Sequence, residues 1–119
     1  MNELCFDEEK AFAELRAKLR SWDINSVDKS QGEIDDLFNK LVNLHWDRNR
    51  IYNFTFFYLK ENLSDSDYHE IPEAAFDYLG GIESSIIGHC SWESFLKIPG
   101  EPQEIEDSIA YVRGGLWKH

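Results

Sequence analysis

A chain of 119 residues, 42% hydrophobic and 14% aromatic, is long enough for one domain with a real core. Its 12 Lys and Arg stand against 23 Asp and Glu, a net charge of −11. That balance argues against direct binding of nucleic acid or of an anionic membrane surface, both of which draw affinity from Lys and Arg, and 4 Trp, 5 Tyr and 8 Phe argue against intrinsic disorder.

The segment Met1 to Glu9 has no basic region followed by an apolar stretch, so no secretory signal is expected. The longest apolar run, Phe56-Phe57-Tyr58-Leu59, is far too short to span a bilayer. A cytoplasmic protein with free thiols at Cys5 and Cys90 is the expectation.

The first predicted helix has Asp7 as N-cap, Glu8 and Glu9 in its first turn, and Lys18 and Arg20 in its last. Phe12, Leu15, Leu19 and Trp22 form its inner stripe, and Lys10–Glu14 and Glu14–Lys18 pair along its outer face. Asp23 to Lys29 reads as a loop. Ser30-Gln31-Gly32-Glu33 has the spacing of a capping box and predicts the start of a second helix. Ile34, Leu37, Phe38, Leu41 and Leu44/His45 continue its apolar stripe, which places His45 in the core. No Gly or Pro interrupts 33–62, yet one helix of that length would run about 45 Å, too long for this domain. A break is therefore expected near Trp46-Asp47-Arg48-Asn49. The following piece is apolar on two faces, with Ile51, Phe54 and Tyr58 on one and Tyr52, Phe56, Leu59 and Leu63 on the other. A helix apolar nearly all round is central.

Ser64-Asp65-Ser66-Asp67 reads as a turn. Pro72 opens a short helix to Leu79 that Gly80 stops. Residues 82–88 fit a short helix or a buried strand, and 91–96 a turn or two of helix. Pro102 begins a last helix with Ile105, Ile109 and Val112 inside and Gly114-Gly115 at its end. The sum is an all-α single domain over 1–119, with five to six mostly short helices around a central aromatic-rich one.

Catalytic and metal motifs are absent or broken. His69-Glu70-Ile71-Pro72-Glu73 lacks the second His of a zinc helix and carries a proline inside it. Asp65 to Glu70 opens like a calcium loop but has Glu70 where glycine makes the sharp turn. No pair of Cys or His has structural-zinc spacing. Gly88-His89-Cys90-Ser91-Trp92 has Trp92 where a nucleophile elbow needs glycine. No cofactor, no metal and no enzyme are expected, and Cys90 is read as a small packed residue.

Charge is segregated. Residues 1–60 carry 11 acids and 9 bases, whereas 61–119 carry 12 acids and only Lys97, Arg113 and Lys118. Between Glu61 and Leu96 lie 8 acids and no base. One reading is a solvated surface that confers solubility. The other is a docking face for a basic protein, because Tyr68, Phe76, Tyr78 and Trp92 are interleaved with the acids, and aromatic anchors with complementary charge make tight interfaces.

This combination of small size, acidic balance, an aromatic-rich acidic stretch from Glu61 to Glu93 and no catalytic motif resembles the small immunity proteins that bacteria make against their own nuclease or contact-dependent toxins. The resemblance implies a one-to-one complex between a monomer and a basic cognate toxin. It implies Asp65, Asp67, Glu70, Glu73, Asp77 and Glu83 as the charges, and Tyr68, Tyr78 and Trp92 as the anchors. Two other readings stand beside it. One is an acidic mimic of nucleic acid that inhibits a DNA-binding or phage-defence protein. The other is a small enzyme using Cys90 with His89 or His69.

Overall fold

The computed structural model describes residues 6–87 together with Leu96 and Ile98. Trp92, Cys5, Cys90, His89 and the expected helices at 91–96 and from Pro102 lie outside the described residues. The described part is all-α: α1 (Glu8–Arg20), α2 (Val27–Asn43), α3 (Arg48–Asn53), a π turn (Phe54–Tyr58), α4 (Leu59–Asn62), α5 (Asp65–Glu70) and α6 (Glu73–Ile87).

Helix α1 follows its sequence. The Asp7 carboxylate accepts the Lys10 N–H as N-cap, and Ala11, Leu15 and Leu19 are buried against α2. Its outer acid pairs elsewhere than expected: Glu14 meets Lys40 of α2 at 3.3 Å. Helix α2 begins at Val27, a full turn before the expected start. Ser30 is not its N-cap but a buried residue inside it, and its hydroxyl accepts the Asp23 N–H at 2.9 Å. The hydroxyl thus braces the α1–α2 connection from within the helix.

The break near Trp46 is present and has a local cause. His45 has φ of 68°, the left-handed conformation that ends helices and that a non-glycine residue adopts only against a steric cost. The same turn points His45 to solvent and not into the core. Trp46 is buried beside it, edge-on to Phe54 at 5.7 Å. Asp47 then caps α3 through the Arg50 N–H.

From Arg48 to Asn62 the chain is one helical rod with the π turn inside it. The buried Thr55 hydroxyl donates to the Ile51 carbonyl at 2.8 Å, a back-bond that loosens the regular ladder. The Leu59 N–H then reaches the Phe54 carbonyl, five residues back. This corrects the two-faced reading of the rod. At 3.6 residues per turn Leu59 and Leu63 would stand about 80° and 120° around from Ile51. The π turn absorbs one residue and sets the stripe back by roughly 100°. Ile51, Phe54, Leu59 and Leu63 are accordingly all buried, while Phe57 is 52% exposed.

Two further expectations change. Residues 64–67 begin a helix instead of forming a turn: the Ser64 hydroxyl accepts the Asp67 N–H and the Asp67 carboxylate accepts the Ser64 N–H, a reciprocal cap that stabilises one and a half turns. Gly80 does not stop the next helix. Helix α6 passes through Gly80-Gly81 to Ile87, so 82–87 is helix and not strand, because Ala75, Leu79 and Ile86 bury one continuous stripe. A Cβ at Gly80 would meet nothing within 4 Å. Gly80→Ala is therefore expected to stabilise the protein by about 1 kcal/mol, read as a higher urea midpoint at unchanged slope. A loss of stability there would mean the glycine serves a close approach.

Among the described residues the core is one cluster to which every helical segment but α5 contributes, joined by Trp22, Trp46, Leu63, Ile71 and Ile98 from outside those helices. No helix among the described residues is long and apolar enough to cross a membrane.

Candidate functional site

The acidic stretch divides into acids held inside the fold and acids left on its surface. Asp67 is the clearest of the first kind. It is 1% exposed, and its two oxygens accept from Nε of Arg16 at 2.8 and 2.9 Å, while one also accepts from Arg20. Those bonds, Arg16 first, hold its carboxyl far below the usual carboxylate range against the opposing effect of burial. A carboxylate so enclosed cannot meet a partner, so the expectation that Asp67 is a docking charge is corrected: it ties α5 to α1.

Glu70 lies at the edge of the same network. Its Oε2 accepts from the Ser66 hydroxyl at 2.5 Å and from Arg20, and both lower its pKa. It is exposed, with its charge largely answered. Glu83 pairs with Lys60 of α4 at 2.8 Å and is only partly exposed. Three of the acids between Glu61 and Leu96 are thus neutralised by bases from the first sixty residues. Sequence proximity hid this, because Arg16 and Asp67 stand 51 residues apart.

Glu61, Asp65, Glu73 and Asp77 are exposed and have no ion-pair partner among the described residues. Glu73 and Asp77 are one turn apart on the outer face of α6. On the flank of α6 toward α5, Phe76 stacks on Tyr68 with centroids 5.6 Å apart and planes 14° from parallel. Tyr68 is 49% exposed and its hydroxyl donates to the Lys60 carbonyl. Aromatic pairs of this kind are rigid and half solvated, which suits an anchor.

Tyr78 is on the opposite flank. Two positions beyond Phe76 on a helix it points about 200° away, toward α2. There its ring packs on Trp22 at 5.9 Å and its hydroxyl donates to Asp35 Oδ1 at 2.6 Å. Burial and the neighbouring carboxylate both push its pKa up. Tyr68 and Tyr78 therefore belong to different surfaces. The sequence suggested one patch because it gave Tyr78 no partner in Asp35 or Trp22, which lie far away in the chain.

Among the described residues, two clefts adjoin α2. One of about 350 Å³ is lined by Asp35, Tyr78, Gly81, Ile82 and Ser85. The other, of about 510 Å³, is lined by Phe6, Asp36, Asn39, Lys40, Asn43 and Leu44, with the Lys40 ammonium over the Phe6 ring at 4.1 Å. Among the described residues no cluster of His, Cys, Asp or Glu could hold a metal ion. Comparison with protein-family models, with curated proteins and with solved structures returned no match.

Proposed function

We propose that this chain is an immunity-type protein that binds and neutralises a basic cognate toxin through the α5–α6 face. The observation that carries the reading is the half-exposed Tyr68–Phe76 stack beside Asp65, Glu73 and Asp77, whose charges nothing in the described fold answers. A toxin that acts on nucleic acid must be basic to hold its substrate. An acidic face with a rigid aromatic centre steers such a protein into contact and then excludes water from it. Asp65, Tyr68, Glu73 and Asp77 form the working surface, with Glu70 at its rim. Asp67 and Glu83 hold the helices that present it.

The test is capture from the native host with the tagged chain, at low salt and at about 0.5 M, where the Debye length is only about 4–5 Å. One basic protein is expected to be retained in both washes. The combined reversals Asp65→Lys, Glu73→Lys and Asp77→Lys are expected to weaken that complex at least a hundredfold, several kcal/mol, because like charges then face each other. Tyr68→Ala alone is expected to cost about 2 kcal/mol of binding. A partner that survives Tyr68→Ala unchanged but washes off at high salt would favour nucleic-acid mimicry. A triple variant that binds like the parent would overturn this placement of the interface.

A further inference from the structure

The cleft between α2 and α6 lies on the flank of α6 away from Tyr68, and the surface just described makes no use of it. Its chemistry is one-sided. The Tyr78 hydroxyl spends its proton on Asp35 Oδ1, and the Ser85 hydroxyl spends its proton on the Ile82 carbonyl at 2.6 Å. What remains toward the cleft is the Asp35 carboxylate, with Oδ2 uncommitted, and the lone pairs of Ser85. Asp35 is exposed and has no cationic partner among the described residues. The walls are the Tyr78 ring, braced from behind by Trp22, and Ile82. At Gly81 a Cβ would meet nothing within 4 Å, so the cleft is open there.

A cleft that offers acceptors, negative charge and an aromatic wall, and no free donor among the described residues, suits a group that only donates. The guanidinium is such a group: five N–H donors in a plane, no acceptor, and affinity for both carboxylates and aromatic rings. An anion would meet the Asp35 charge with nothing to answer its own. The volume, about 350 Å³, is at the small end of ligand pockets and matches one side chain better than a large cofactor. We propose that this cleft receives an arginine side chain of the basic partner, as a second contact beside the α5–α6 face. The proposal rests on the immunity reading for the identity of the partner, and on the cleft alone for the recognition of arginine.

The probe is the blocked tripeptide acetyl-Gly-Arg-Gly-amide, titrated into the full chain by NMR, with the Trp22 indole N–H as reporter. That N–H is buried and has no acceptor among the described residues, and its ring touches Tyr78, so changes at the cleft reach it. Saturable shifts with a millimolar dissociation constant are expected. The citrulline peptide, which keeps the shape and loses the charge, is expected to bind at least tenfold more weakly, as is the arginine peptide to Asp35→Asn. Equal binding of the two peptides to the parent chain would overturn the proposal without any variant having to fold. So would an absence of shifts at tens of millimolar peptide. The probe needs no partner protein, so the cleft can fail while a basic protein is still captured, and capture can fail while the cleft still selects arginine.

Discussion

Replacing Arg48 with methionine is expected to lower the unfolding free energy by about 3 kcal/mol. Arg48 is 2% exposed. Its Nη1 donates to the Ile86 carbonyl at 2.8 Å and its Nη2 to the Leu96 carbonyl. The Ile86 carbonyl belongs to α6, and the guanidinium meets it inside the core. Leu96 is held from its other side too, since its N–H donates to the Ser85 carbonyl at 3.1 Å. One guanidinium therefore fastens α6 to Leu96. Methionine fills similar space but takes this donor from the buried Ile86 carbonyl and the part-buried Leu96 carbonyl, at about 1–3 kcal/mol each. Lysine would recover only part of the loss, because a single ammonium lacks the planar fork. The check is the urea midpoint with its slope held constant. A change below about 1 kcal/mol would mean that water reaches those carbonyls.

Asp67→Ala is expected to cost a similar amount, about 3 kcal/mol, by a different route. It removes half of the α5 cap and leaves Arg16 and Arg20 without the carboxylate that gathers them. It also changes the pH dependence. The folded pKa of Asp67 lies well below its unfolded value, so its contribution is complete above the ordinary carboxylate pKa of about 3.9. It drains away as the pH falls from there toward the folded value. The parent protein should therefore lose stability more steeply than the alanine variant below about pH 4, and the two should converge in strong acid. Urea midpoints taken from neutral pH down to about pH 2 would show it, and curves that stay parallel would sink the assignment.

What could be read from the sequence was local. Asp7, Glu8 and Arg20 announced α1 because caps and terminal charges act within one turn, and the break before Asp47 followed from length against compactness. The missed features depended on neighbours distant in the chain. Ser30 looked like a cap, but the connection from α1 needed its hydroxyl. Gly80 looked like a stop, but the stripe from Ala75 to Ile86 outweighed its weak helix propensity. Asp67 looked like surface charge because Arg16 and Arg20 come from the far end of the sequence. The Ser64-x-x-Asp67 spacing did carry a signal, since that pattern alone marks a capped helix start. For the candidate site, Asp65, Tyr68, Glu73 and Asp77 were legible as exposed polar or amphipathic residues. The split between Tyr68 and Tyr78 was not, because it depends on what flanks α6: Tyr68 of α5 on the Phe76 side, and Asp35 of α2 with Trp22 on the Tyr78 side.

The π turn makes chain length, and not only composition, a determinant of the core. Residues 54–58 hold one residue more than an α-helix would use to cover the same rotation. The exposed ring of Phe57 could be exchanged for many side chains with little effect on packing. Deleting the residue would be nearly as mild: the rod would close up into regular α-helix, and Leu59 and Leu63, each about one residue nearer to Ile51, would keep their place on its inner stripe. A second extra residue is another matter, since it would carry both leucines about 100° away from the interior. In this stretch the protein tolerates a missing letter far better than an added one.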